Sequence, residues 1–221
     1  MKKSVIIVAG GKGLRMGSEI PKQFLLLNGK AIILHTIDKF KQALPQARLV
    51  LVLPKDEVQR WNNLTKESPY AEIEIAIGGK SRFDSVKAGL ELIDEGLVAV
   101  HDAVRPLVSK KTIQNAFKTA AEKDSAIPVS PLKDSIRKVE GENSKSLNRS
   151  EYVLVQTPQC FKFSLLKEAY NQEFSDSFTD DASVFEAAGN AVAIFEGNTS
   201  NIKITSPEDL KVAEVLLKSF N

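Results

Sequence analysis

Val5-Ile6-Ile7-Val8-Ala9-Gly10-Gly11-Lys12-Gly13-Leu14-Arg15-Met16-Gly17 carries an apolar run straight into a glycine-rich turn. Four β-branched residues side by side suit a strand covered on both faces, as in a parallel sheet. The glycines that follow permit positive φ and let backbone N–H groups approach phosphate oxygens. Two familiar phosphate motifs do not fit. No Gly-Lys-Ser/Thr follows at P-loop spacing, and the dinucleotide fingerprint fails at its third glycine, where Met16 stands. What remains distinctive is Arg15 followed by Pro21-Lys22-Gln23, two cations on one loop with a proline stiffening the backbone beside the second. A flexible solvated loop accounts for either cation alone. Together, after a strand and a glycine turn, Val8 to Lys22 reads as a holder of nucleoside triphosphate phosphates.

Working outward, short Val- and Ile-rich runs recur at Leu49 to Leu53, Ile73 to Ile77, Leu97 to Val100, Ile127 to Val129, Tyr152 to Val155 and Val192 to Phe195. Their lengths suit strands. Between them lie stretches of helical period at Ile32 to Phe40, Lys55 to Lys66, Ser81 to Ile93, Lys111 to Lys123, Ser164 to Gln172, Asp180 to Ala188 and Pro207 to Leu217. Ser206-Pro207-Glu208-Asp209 places an N-cap, a first-turn proline and early acids at the start of the last one. Strand and helix alternate, which predicts an α/β fold: a three-layer α/β/α sandwich with a Rossmann-like, mostly parallel sheet. The whole chain, 1–221, reads as one domain. The segment Lys133 to Asn148, KDSIRKVEGENSKSLN, breaks the alternation. It is polar, with a Gly-Glu-Asn turn signal, and reads as a projecting β-hairpin within an arm over 133–150. Such a ribbon is either a solvated hairpin or an arm exchanged with a partner subunit.

Thirty Lys+Arg against 28 Asp+Glu leave a net charge of +2, which argues against a general nucleic-acid or membrane surface, so basic function has to be local. The single cysteine, Cys160, forms no intramolecular disulfide, and two histidines offer no obvious zinc set; a reducing, cytoplasmic setting is expected. The apolar start resembles a signal peptide but is interrupted at Gly10-Gly11-Lys12, and it reads as a buried strand.

A second site signal is His101-Asp102-Ala103-Val104-Arg105-Pro106, directly after the run Leu97 to Val100. Ligands of open α/β sheets bind at the carboxyl ends of strands, and a carboxylate there can hold Mg²⁺ bridging a triphosphate. The plain alternative pairs Asp102 with Arg105 to fix a turn. His101 reads as a packed or hydrogen-bonded residue more than as a base. Gly78-Gly79-Lys80-Ser81 with Ser85, and Asn201-Ile202-Lys203-Ile204-Thr205, also fall at strand ends, so Lys203 adds a third cation to the same crevice.

The motifs AGGKGLRMG, PKQF, GGKSRFDSVKAGL, HDAVRP, QTPQCF, TDDAS and EGNTSNIKITSPEDL stand in an order that resembles the 2-C-methyl-D-erythritol 4-phosphate cytidylyltransferase family, from the first strand to the last helix. The resemblance implies a nucleotide-diphospho-sugar-transferase type of fold, transfer of CMP from CTP to 2-C-methyl-D-erythritol 4-phosphate with release of pyrophosphate, a Mg²⁺ cofactor and a homodimer formed through the arm. It puts Arg15, Lys22 and Lys203 in charge stabilisation at the α-phosphate. It assigns CTP contacts to Ala9, Gly10, Gly11, Gly13, Gly78, Ser85 and Asp102, with Asp102 also on the metal. It gives Arg149, Ser135, Arg105 and Thr179 to the acceptor. Ser135 stands where the family usually has threonine, and Val104 where a smaller residue is commoner.

D-Ribitol-5-phosphate cytidylyltransferase shares several of these motifs and is the neighbouring alternative, with the arm deciding between them. A nucleotide-binding module without catalysis is the alternative of another class. Retention of Arg15, Lys22, Asp102 and Lys203 together argues against it. A nicotinamide-dependent dehydrogenase is weaker still, given the failed fingerprint.

Overall fold

The computed structural model describes residues 1–10 and 20–219. The first strand, β1 (Lys3–Val8), lies between β4 (Arg48–Leu53) and β6 (Leu97–Asp102), parallel to both, and β5 (Glu74–Ile77) extends the parallel set beyond β4. Alternate residues of these strands feed two separate cores, as the period-2 pleat requires. Val5, Ile7, Leu51, Leu53, Leu97 and Ala99 face one side. Ile6, Val50, Val52, Val98 and Val100 face the other.

On the first side pack α1 (Ile32–Ala43), α2 (Val58–Thr65) and α4 (Lys110–Lys123), through Ile33, Ile37 and Phe40, through Trp61, and through Ile113, Ala116 and Phe117. These residues recur at the three- and four-residue spacing of a helix face. On the second side lie α3 (Arg82–Leu90), α5 (Phe163–Ala169) and α6 (Asp181–Ala187). The expected three layers are present. α3 approaches the sheet closely at Gly89, which has no side chain: a Cβ there would lie 2.8 Å from Ile6 Cγ2 and 3.1 Å from Val52 Cγ2. A third cluster joins α7 (Pro207–Ser219) to Leu27, Val104 and Ile204. Ser206 caps α7 by accepting from Asp209 N, and Asp209 Oδ2 accepts from Ser206 N in return.

Beyond β6 the sheet departs from simple alternation. β11 (Gln159–Lys162) inserts antiparallel between β6 and β7 (Ser125–Pro131). β10 (Val153–Val155) pairs antiparallel with the far end of β7, and β12 (Ile194–Glu196) pairs parallel along its other edge. The four residues Gln-Cys-Phe-Lys of β11 have too little period to be read as a strand alone; their neighbours on both sides make them one. Two short strands, β2 (Leu26–Leu27) and β3 (Lys30–Ala31), pair with each other ahead of α1. The arm is the hairpin β8 (Ile136–Glu140) and β9 (Asn143–Leu147), whose strands, among the described residues, pair only with each other and are largely exposed.

Several helices are shorter than their periodicity predicts. Lys55–Glu57 forms a 3₁₀ turn before α2, where Pro54 sets the backbone, and α3 ends at Leu90 with Glu91 N turning back to Lys87 and Gly89 carbonyls.

Candidate active site

Sheet register aligns the strand ends that build the site. Val8 is the partner of Asp102, and the chain leaving each strand is held by its neighbour: Ala9 N donates to Val52 O at 3.0 Å, Ala103 N to Val8 O at 3.0 Å, and Gly78 N to Leu53 O at 2.8 Å. The Lys22–Phe24 turn is fastened here by Gln23, a buried side chain whose Nε2 donates to Ala9 O at 2.9 Å. That bond brings Lys22 to the strand end.

Two adjoining cavities open over these ends. One is walled by Ala9, Gly10, Lys22, Ser85, Asp102 and Lys203, with Gln23 and Gly79 to Arg82 also among its lining residues. The other is walled by Arg105, Gln156, Thr157, Gln159, Thr179 and Asp180. Arg82, Asp102 and Lys203 belong to both.

Asp102 is the centre of the charge arrangement. Its Oδ2 accepts from Arg105 Nε at 3.0 Å and lies 3.1 Å from Lys203 Nζ. Burial pushes its carboxyl up, but Lys203, Arg82 and Arg105 outweigh that and hold it well below the usual carboxylate range. It is ionised at neutral pH. The turn-fixing alternative is therefore present alongside exposure to both cavities.

His101 is excluded from acid–base work by its bonds. Nε2 lies 3.2 Å from Arg105 O, which can only accept, so this nitrogen carries the proton. Nδ1 then accepts from Thr157 Oγ1 at 2.9 Å, and that oxygen accepts from Asp102 N at 3.2 Å. Burial pulls the imidazole down to about 4, only partly offset by Asp102. It is a neutral, fully engaged strut, in keeping with the packed role read from sequence.

The Lys203 loop is fixed by asparagines. Asn201 O accepts from Arg105 Nη1 at 2.8 Å, Asn201 Nδ2 donates to Thr157 O at 2.7 Å, and Ile204 N donates to Val104 O at 2.9 Å. Asn198 Oδ1 accepts from Ser109 N and Thr112 Oγ1, and its Nδ2 donates to Leu107 O. The loop is thereby tied to the start of α4.

A sequence model of the 2-C-methyl-D-erythritol 4-phosphate cytidylyltransferase family matches residues 4–219. The chain belongs to that family. It is accordingly a nucleotidyltransferase, which transfers CMP from CTP to 2-C-methyl-D-erythritol 4-phosphate in isoprenoid synthesis. Among curated relatives, the cytidylyltransferase of Bacteroides thetaiotaomicron is 48% identical over 219 residues, 98% of this chain and 100% of the relative. That of Porphyromonas gingivalis is 44% identical over 221 residues, 99% of each. The crystal structure of the Thermus thermophilus cytidylyltransferase superposes with a TM-score of 0.80 at 32% identity, over 99% of this chain and 100% of that one. The Francisella tularensis structure gives 0.81 at 31% identity, over 97% and 99%.

In this cytidylyltransferase the structure brings Ala9, Gly10, Lys22, Ser85, Asp102 and Lys203 to one cavity, and Arg105 and Thr179 to the other. Gly78 stands behind the first: a Cβ on it would meet Ser85 Oγ at 2.9 Å. Gly11, Gly13 and Arg15 lie outside the described residues. Ser135 and Arg149 sit on and beside the arm, and neither lines either cavity. Gln23, Arg82, Thr157 and Gln159 are site residues that motif reading left out. The signal for Arg82 was its place directly after the N-cap Ser81 in Gly-Gly-Lys-Ser-Arg, where a helix starts beside the glycine turn.

Among the described residues no group of three or more His, Cys, Asp or Glu side chains can hold a metal. Among the described residues Asp102 is the carboxylate that lines both cavities, and its contacts with Arg105 and Lys203 run to Oδ2. No described helix is long and apolar enough to cross a membrane.

Proposed function

We propose that the cavity at Ala9, Gly10, Lys22 and Ser85 takes CTP, that the cavity at Arg105, Thr157 and Thr179 takes 2-C-methyl-D-erythritol 4-phosphate, and that the α-phosphorus is attacked at their boundary. The observation that carries this reading is the shared wall: Asp102 and Lys203 line both cavities, so a phosphate from each side meets the same charged pair.

The acceptor phosphate is already anionic at neutral pH. Its oxygen bonds to the α-phosphorus while the bridge to the β-phosphate breaks, and pyrophosphate leaves with that electron pair. No base is required, in agreement with a neutral His101 bonded at both nitrogens. The task is to bring two anions together and neutralise charge growing on a pentacoordinate phosphorus. Lys22 and Lys203, which line the first cavity, would supply that charge, and the family resemblance gives Arg15 the same role.

Asp102, ionised and facing both cavities, fits Mg²⁺, which takes one or two carboxylates and completes its shell with phosphate oxygens and water. When bound, the cation supplies charge neutralisation on the triphosphate.

The arm supports a homodimer. Arg149 and Ser135 line neither cavity of their own chain, the ribbon pairs with no other strand among the described residues, and Tyr152, Val153, Leu154 and Val155 beside it are 42–54% exposed. A second copy docked there would cover this run and offer its Arg149 to the acceptor. A cytoplasmic setting fits the single, buried cysteine. Pyrophosphate release from CTP, Mg²⁺ and 2-C-methyl-D-erythritol 4-phosphate tests the reading: turnover that collapses in Lys22→Ala and Lys203→Ala supports it, and turnover unaffected by both overturns it.

A further inference from the structure

Arg82 holds its place by an unusual partner. Its Nη1 and Nη2 donate to Asp181 Oδ1 and Oδ2 at 2.8 and 2.6 Å, a two-point grip across 99 residues of sequence. Asp181 is fully buried, whereas the Arg82 side chain keeps 29% of its surface and lines both cavities. Tyr170 Oη donates to Asp181 Oδ1 at 2.7 Å, and the Tyr170 ring stacks on Phe83, the residue after Arg82.

The backbone around Asp181 leads to the acceptor side. Asp181 N and Ala182 N both donate to Gln159 Oε1 at 3.0 Å, and Gln159 Nε2 donates to Asp180 Oδ2 at 2.8 Å. Thr179, Asp180 and Gln159 all line the acceptor cavity. One short segment therefore offers two residues to the acceptor and uses the third to hold the arginine that walls the nucleotide.

We propose that Asp181 is a positioning residue for the transfer step: by gripping Arg82 with both oxygens it fixes the wall common to the two cavities, so that one ion pair, buried on its carboxylate side, sets the relative placement of both substrates. Asp181 consumes much of the arginine's charge, so Arg82 contributes geometry more than net attraction. A lysine at 82 keeps the charge but cannot reproduce a fork that spans two oxygens.

The inference rests on the assignment of the cavities to CTP and the acceptor, and wild-type turnover with those two substrates is the reference. Its absence would sink that assignment. The test compares Arg82→Lys, Asp181→Asn and the double variant, at a temperature where thermal unfolding shows each to be folded. The expected result is a fall in kcat of about tenfold or more, with KM raised for both CTP and the acceptor, and a double variant no worse than the poorer single one. Wild-type kcat and KM with only a lowered Tm would assign the pair to stability alone and overturn the inference. A rise in KM for one substrate alone would equally overturn the shared wall. If the charge variants do not fold, Tyr170→Phe decides: it keeps the stacked ring and removes one donor from Asp181, and it should lower kcat and raise both KM values a few-fold. Unchanged kinetics in Tyr170→Phe would count against the proposal.

Discussion

Lys203 Nζ lies 3.1 Å from Asp102 Oδ2, and the same oxygen accepts from Arg105 Nε at 3.0 Å. The carboxylate holds the lysine at the boundary of the two cavities. Lys203→Ala removes a cation proposed to act on the transition state more than on the ground state. Saturated kcat should fall by roughly 100- to 1000-fold, the usual cost of one lost charge-stabilising donor, while KM for CTP changes much less. Steady-state kinetics with both substrates varied checks this.

His101 gives the protein an acid-sensitive strut. Its folded value of about 4 lies below the roughly 6.5 of an unfolded histidine, so the fold binds the neutral ring in preference. The stability this contributes is fully present above about pH 6.5 and is lost as pH falls from there through 4. The shift corresponds to about 3 kcal/mol between those limits. Denaturant unfolding at pH 7, 5.5 and 4.5 should show that decline in the wild type and a shallower one in His101→Gln. Asp102, whose carboxyl is also depressed, adds its own loss only below the ordinary carboxylate range, so the two are separable by pH.

Much of this site was readable before the structure, for an identifiable reason. Asp102 ends β6, and Lys22, Ser85 and Lys203 lie on the segments that follow β1, β5 and β12; register does the rest, since Val8 opposite Asp102 is a consequence of two parallel strands of equal length. Gln23, Arg82 and Asp181 were not readable in the same way. Each acts through a partner 14 or 99 residues away, and nothing local in Pro-Lys-Gln-Phe or Thr-Asp-Asp-Ala-Ser says which side chain turns inward. β11 was missed likewise, since its pairing belongs to β6 and β7 and not to its own four residues.

Gly78 packs against Ser85 of α3, which lines the cavity at Ala9, Gly10 and Lys22. A Cβ at that position comes within 2.9 Å of Ser85 Oγ and 3.3 Å of Val52 Cγ1. Gly78→Ala should push Ser85 into the cavity, weakening CTP binding by roughly 1–3 kcal/mol, the range for overpacking. Calorimetric titration with CTP checks it; affinity equal to the wild type would show that the serine can yield without cost.

The arm predicts a division of labour. Arg149→Ala should raise acceptor KM about tenfold or more, on the order of 1.4 kcal/mol, and leave CTP affinity alone. Replacing 136–147 by a short glycine-serine turn should give a monomer by sedimentation that still binds CTP but uses the acceptor poorly. A dimer that persists without the ribbon would move the interface elsewhere.

The most direct test of the account is pyrophosphate release from CTP and Mg²⁺, with 2-C-methyl-D-erythritol 4-phosphate and D-ribitol 5-phosphate compared as acceptors, in the wild type and in Lys22→Ala. Rapid release with the methylerythritol phosphate, little with the ribitol phosphate, and a loss of at least about 100-fold in Lys22→Ala is the predicted result. Efficient use of ribitol phosphate in place of the methylerythritol substrate, or full activity without Lys22, would contradict it.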